Sequence, residues 1–365
     1  MPPTRSLRFY CPLSCEQRPD ATYLGQRALE WADHFGLVAA AERRRLARID
    51  IGLLTSLVLP HGLYVPAQIA ADFSAWLFAL DDRYCDERQQ NLQLPELAAL
   101  LARLTRVLEA PTAEPSSGST PAWPFISALR DLRLRLAAVA TPTQVARWVA
   151  AMRAYFTATL WEATNRTHKV IPDLDAYTML RMHSGAMGPS ILLLDIADGY
   201  ELSTTTMSRP DVQALMEMTC VLAGWDNDLI SYDKEAARVG DGQNLLDVLA
   251  YQNQSTTDQA LHQAIALRDR VMSLFLRLRE RVLHDASPEL ARYVTSLSYW
   301  VRANIQWGQQ SARYGSTDGL TNSMPPGRAT HPTDNDLTPL PIPTIRWWWQ
   351  TLDREQSLAA STTRR

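Results

Sequence analysis

MTCVLAGWDNDLISYDKE, residues 218–235, starts as an almost unbroken apolar run and ends in carboxylates, an amide and a hydroxyl. On a helix, Asn227, Ser231 and Glu235 fall at i, i+4 and i+8. Steps of four residues drift by only about 40°, so the three share one side. An amide oxygen, a hydroxyl and a carboxylate form an all-oxygen set suited to Mg²⁺, which keeps waters and binds through few protein ligands plus substrate phosphates.

A second stretch has the same design. FSAWLFALDDRYCDE, residues 73–87, again runs from apolar helix into acid. Asp82 and Asp86 are four apart and share a face, while Asp81 lies about 100° from Asp82. Like charges at this spacing repel and destabilise a bare helix. A solvated face would interleave Lys or Arg with the acids; here Arg83 and Arg88 are the only basic residues at hand. A divalent cation offsets the repulsion better. Two acidic helix ends, each reached through apolar helix, imply a greasy pocket with metal at its mouth. They also imply a substrate that is a phosphate on an apolar body.

The chain of 365 residues is 46% hydrophobic, enough for a large core. Its net charge of −3 excludes a basic nucleic-acid surface. Four scattered cysteines make no disulfide framework, and Cys11 and Cys15 lack the second pair a zinc site needs. The start, MPPTRSLRFYCPLSC, has no apolar leader, and no apolar run approaches the roughly 18 residues of a membrane span. The expectation is a cytoplasmic protein without a membrane span.

Helical periodicity predicts helices near 22–48, 66–88, 95–109, 125–139, 142–164 and 173–199, and again near 209–238, 243–251, 256–284 and 287–313. No strand or internal repeat is predicted. The prolines of APTAEPSSGSTPAWP, 110–124, mark a loop, since helical periodicity resumes beyond them. The expected architecture is all-α: an N-terminal segment 1–20, one catalytic domain 21–314, a flexible Pro/Gly/Ser/Thr-rich segment 315–343, and a Trp-rich tail 344–365 that docks on the body.

DDRYCDE (81–87) followed far downstream by NDLISYDKE (227–235) resembles the two metal-binding motifs of class I terpene cyclases, in order and in separation. That resemblance covers about residues 8–314 and implies a single α-helical bundle around a deep apolar active-site cavity. It also implies Mg²⁺, three ions, and an isoprenoid diphosphate substrate. Arg181, 46 positions before Asn227, is similar to the family's diphosphate-sensing arginine. Gly185 is similar to its helix-break residue, with Ser184 as the linker between them. Arg313 and Tyr314 in SARYG resemble the late Arg-Tyr pair that bonds diphosphate, and Lys234 another diphosphate contact. For the first motif the alignment favours Asp81 as direct ligand, whereas the helix face favours Asp82 with Asp86. Antiparallel homodimers are common in this family.

The implied reaction ionises the diphosphate and cyclises the carbocation. Arg181, Lys234 and Arg313 would add charge-assisted contacts to the metal, and Tyr314 a hydrogen bond. Aromatic faces stabilise the cation, and water exclusion prevents early quenching. Trp76, Phe78, Phe156, Trp300 and Trp307 are the candidate wall, from a chain with 11 Trp. RFYCPLS (8–14), DDRYCDE and PLPIPTIRWWW (339–349) each resemble the 2-methylisoborneol synthase branch, which implies 2-methylgeranyl diphosphate and a C11 bornane-type product. The alternative is a C10 or C15 cyclase of geranyl or farnesyl diphosphate. A chain-elongating prenyltransferase would carry a second Asp-rich motif where this chain has Asn, Ser and Glu. A non-catalytic isoprenoid-binding protein would not retain the full set.

Overall fold

The structure is a computed structural model that describes residues 7–85, 93–113, 122–236, 242–311 and 327–362, with the side chains of 85, 233–236 and 353–362 left out. A short strand β1 (Arg8–Tyr10) precedes helices α1 (Ala21–Phe35), α2 (Ala40–Ile49), α3 (Ile51–Val58) and α4 (Tyr64–Leu80). Helix α4 runs into a π-helical turn, Asp81–Cys85, and then come α5 (Leu94–Glu109), α6 (Trp123–Val139), α7 (Pro142–His168) and α8 (Leu174–Ser184). Three short helices follow: α9 (Met187–Ile191), α10 (Leu194–Ala197) and α11 (Thr204–Met207). The rest is α12 (Pro210–Ala236), α13 (Leu245–Asn253), α14 (Thr257–His284), α15 (Pro288–Gln310), strand β2 (Gly327–Ala329) and α16 (Pro343–Thr362).

Local signals explain most boundaries. Thr141 and Gln144 cap the start of α7 reciprocally, Thr256 and Gln259 do so for α14, and Ser287 with Pro288 opens α15. Gly36 ends α1 in the left-handed region at φ 66°. Helix α3 falls between the predicted helices 22–48 and 66–88, where the periodicity gives none. IGLLTSLV is buried at all eight positions and so has no amphipathic period to read, while the Asp50 carboxylate caps it by accepting from the Leu53 N–H.

Helix α12 is the axis of the bundle. It packs against α15, α14, α8, α13 and α16, and from Val212 to Ile230 it is mostly buried. Helix α4 lies across α1, α3 and α6. The strands, which the sequence does not predict, pair in parallel with Arg8 opposite Gly327 and Tyr10 opposite Ala329. At three residues each they are too short to show alternation. Residues 327–343, part of the segment expected to be flexible, carry β2, a Thr333–Asp269 contact and the buried Leu340 and Ile342; residues 315–326 lie outside the described residues. In the C-terminal segment, Ile345, Trp348 and Trp349 are buried, and α16 packs on α12 and α8.

Candidate active site

Helix α4 with its π turn and helix α12 open onto one cavity of about 180 Å³. Asp81 lines it from the end of α4, where the helix widens into the π turn. Such turns insert a residue and re-aim the side chains that follow. Arg181, from the last turn of α8, and Asn227, from α12, line the same mouth. Arg181 lies along α12: its Nε donates to Asp228 Oδ1 at 2.9 Å, and its Nη2 to Asn227 Oδ1 at 2.8 Å and Gly224 O at 3.4 Å. The Tyr177 hydroxyl donates to the other oxygen of Asp228, and burial beside that carboxylate pushes the phenol pKa well up, so the hydroxyl stays a donor. The Asn244 amide donates to Asp228 O at 3.1 Å and ties the start of α13 to the same turn.

Two glycines permit this approach. A Cβ on Gly224 would stand 3.1 Å from Arg181 Cγ, and one on Gly185 would stand 3.3 Å from Arg181 Nη1. Helix α8 breaks at Gly185, but the left-handed residue is its neighbour Ala186, at φ 54°. An alanine there carries a conformational cost of about 1–2 kcal/mol, which the surrounding packing must offset. The Ser184 hydroxyl also lines the cavity and has no hydrogen-bond partner among the described residues.

Of the residues singled out in the sequence, Asp81, Arg181, Gly185 and Asn227 meet at this mouth. Ser231 is buried one turn beyond Asn227, its hydroxyl donating to Asn227 O at 2.8 Å, which leaves its oxygen able to accept or coordinate. Asp82 sits beside Asp81 on the π turn but is not among the residues that line the cavity. Asp86, Arg313 and Tyr314 lie outside the described residues, as do the side chains of Lys234 and Glu235. Phe78, Trp300 and Trp307 line the wall. Trp76 and Phe156 do not: the Trp76 N–H donates to Phe125 O on α6 at 3.0 Å, and its indole packs with Phe156 of α7 in the core. Sequence reasoning missed Asp228, Tyr177 and Gly224. Asp228 stands about 100° from Asn227 on the helix, so the face that selected Asn227 and Ser231 passed over it.

The mouth suits a divalent cation. Asp81 and Asn227 bring a carboxylate and an amide oxygen to it, the ligand type that hard cations take, and Arg181 adds a fixed positive charge beside them. Among the described residues no helix is long and apolar enough to cross a membrane.

An all-α bundle around an apolar cavity, with oxygen-rich helix ends and an arginine at its mouth, is the class I terpene synthase architecture. The sequence model of terpene synthase family 2, C-terminal metal binding, matches residues 72–274, and the chain belongs to that family. It is 35% identical to (+)-(1(10)E,4E,6S,7R)-germacradien-6-ol synthase of Streptomyces pratensis, over 94% of this chain and 96% of the relative. It is 38% identical to the (2E,6E)-farnesyl diphosphate cyclizing (+)-T-muurolol synthase of Streptomyces clavuligerus, over 94% of this chain and 82% of the relative. The crystal structure of the SVS_A2 protein from ancestral sequence reconstruction superposes with a TM-score of 0.84 at 31% identity, covering 95% of this chain and 99% of that one. The protein is thus an enzyme, a terpene synthase, and its substrates are isoprenoid diphosphates.

Proposed function

We propose that the protein is a Mg²⁺-dependent cyclase of farnesyl diphosphate, acting in the cytoplasm. The observation that carries the reading is the meeting of Arg181 and Asn227, from two helices, at the mouth of a cavity that Asp81 also lines. The farnesyl substrate is favoured by the T-muurolol synthase, whose likeness over 94% of this chain outweighs three short stretches that resemble the 2-methylisoborneol branch. Those stretches keep 2-methylgeranyl diphosphate as the second reading.

Asp81, Asn227 and Ser231 would hold Mg²⁺, with Asp82, Asp86 and Glu235 as the further carboxylates of the two motifs. Bound there, the metal neutralises the charge that builds on the leaving diphosphate. Arg181 supplies a positive charge for the same anion, and Asp228 with Tyr177 fixes the position of its guanidinium. Lys234, Arg313 and Tyr314 complete the diphosphate contacts in this reading. Phe78, Trp300 and Trp307 then face the allylic cation, and the apolar wall keeps bulk water from it.

The test is parallel incubation with geranyl, 2-methylgeranyl and farnesyl diphosphate, with Mg²⁺ or with EDTA, reading released diphosphate and volatile products. Mg²⁺-dependent turnover mainly of farnesyl diphosphate is expected. Predominant turnover of the 2-methylgeranyl ester would establish the C11 reading instead, and no diphosphate release from any of them would overturn cyclisation.

A further inference from the structure

Asn304 is the polar residue of the α15 wall that the reaction described above does not use. It is 9% exposed and lines the cavity between Trp300, four residues before it, and Trp307, three after. On a helix these spacings put all three on one face. The Asn304 amide nitrogen is engaged: it donates to Ala223 O at 3.2 Å. Ala223 lies one turn before Asn227 on α12, so Asn304 stands just inside the metal-binding turn, where polar mouth gives way to apolar wall. The seated nitrogen fixes the orientation of the amide, and among the described residues no donor is found to the oxygen of this cavity-lining side chain. Of the serine hydroxyls in this wall, Ser74 and Ser190 donate to the carbonyls of Ala70 and Ala186, four residues back, and Ser184, nearer the arginine, has no partner among the described residues.

We infer that Asn304 holds the water that ends the reaction, so that the product is a terpene alcohol; this rests on the cyclase reading above. When an isoprenoid chain fills the cavity, stripping the Asn304 oxygen bare costs about 1–3 kcal/mol, whereas keeping one ordered water on it costs at most about 2 kcal/mol. Retention is therefore at least competitive. A water that donates to Asn304 turns its own lone pairs away from the amide, toward the cavity centre, and is made more nucleophilic by the bond. A donor at this position would instead have consumed the lone pair. Finally, the Trp300 and Trp307 rings on the same helix face attract the cation to the side where that water sits. The step balances: the water oxygen forms a C–O bond with the carbocation, and its proton passes to the released diphosphate.

The experiment is turnover of farnesyl diphosphate in ¹⁸O-enriched water, reading diphosphate release and product mass together. The expected main product of the wild-type enzyme is an alcohol carrying one ¹⁸O. Asn304→Leu fills the site without an acceptor and should lower the alcohol-to-hydrocarbon ratio at least tenfold. Asn304→Ala, which avoids overpacking, should lower it in the same direction. A merely structural role for Asn304 would reduce total turnover without moving the ratio. Diphosphate release with only unlabelled hydrocarbons from wild type, or an unchanged ratio in both variants, overturns the inference while leaving cyclisation intact. Absence of diphosphate release would take down the cyclase reading and this inference with it.

Discussion

Arg181 crosses α12 at Gly224 because nothing projects there, and it stays because Asp228 receives its Nε while Tyr177 holds the far oxygen of the same carboxylate. Removing the carboxylate leaves a part-buried guanidinium without its counter-charge. Asp228→Ala should therefore cost about 3–5 kcal/mol of stability, read as a shift in the denaturant midpoint, and should also raise KM for the diphosphate substrate. Gly224→Ala tests position rather than charge: the new methyl stands 3.1 Å from Arg181 Cγ, so the side chain has to move off its line. A fall in activity with little change in melting temperature is expected. Asn227→Ala deletes a proposed metal oxygen outright, so its loss of turnover should exceed the roughly 10–100-fold that follows from losing only a ligand's supporting contact. A folded, fully active Asn227→Ala enzyme would remove that residue from the metal site.

Between elements, the most instructive joint is α4 against α6. Asp72, inside α4, is nearly fully buried, with Arg135 Nη2 2.8 Å from one oxygen and the Gln68 amide donating to the other at 2.8 Å. Burial outweighs these partners and lifts the Asp72 carboxyl from 3.8 to about 6. The folded state thus binds this proton more tightly than the unfolded chain, and stability from this group is fully present below pH 4 and is lost as pH rises to about 6. Two units correspond to about 3 kcal/mol. Asp72→Asn should gain on wild type by up to that amount between pH 4 and pH 7 in thermal unfolding; parallel curves would show that the pair behaves as an ordinary ion pair. Helix caps such as Thr141–Gln144 and the oxygen-rich turn at Asn227 were legible in the sequence because each is a short-range pattern with a local cause. Helix α3 was not, since a wholly buried segment loses its period, and Asp228 was not, since its role depends on where another helix brings Arg181. The aromatic wall was half legible: composition flags tryptophans, but whether an indole faces a cavity or, like Trp76, a neighbouring carbonyl is decided by packing.

At the scale of the whole molecule, the ends of the chain are fastened to the back of the catalytic helices. Arg268 and Asp226 pair while fully buried, Arg268 also donates to Tyr10 O at β1, and Asp269 accepts from Thr333 N at 2.7 Å beyond β2. Asp226 immediately precedes Asn227, so this buried charge group anchors the outer side of the turn whose inner side faces the cavity. Further along, Thr344 N donates to Asp175 on α8 at 2.7 Å, and Trp348 Nε1 donates to Glu217 on α12 at 2.7 Å. Both helices that build the mouth are thus held by one C-terminal segment, which the matched family region, 72–274, does not include. Two substitutions separate packing from polarity. Trp348→Ala removes a fully buried indole and should cost about 3–5 kcal/mol. Trp348→Phe keeps most of the volume and leaves the Glu217 oxygen without its donor, for about 1–3 kcal/mol. Burial already holds the Glu217 pKa up and the indole N–H pulls it down, so the Phe variant should raise it further. Its stability deficit against wild type should accordingly grow as pH rises from about 4 to 7, when the unpartnered carboxylate is forced to ionise. Removing residues 343–365 altogether should lower the melting temperature and diphosphate release together, because α8 and α12 lose their common support. A truncated enzyme with unchanged melting and activity would show that α16 rests on the body without holding it.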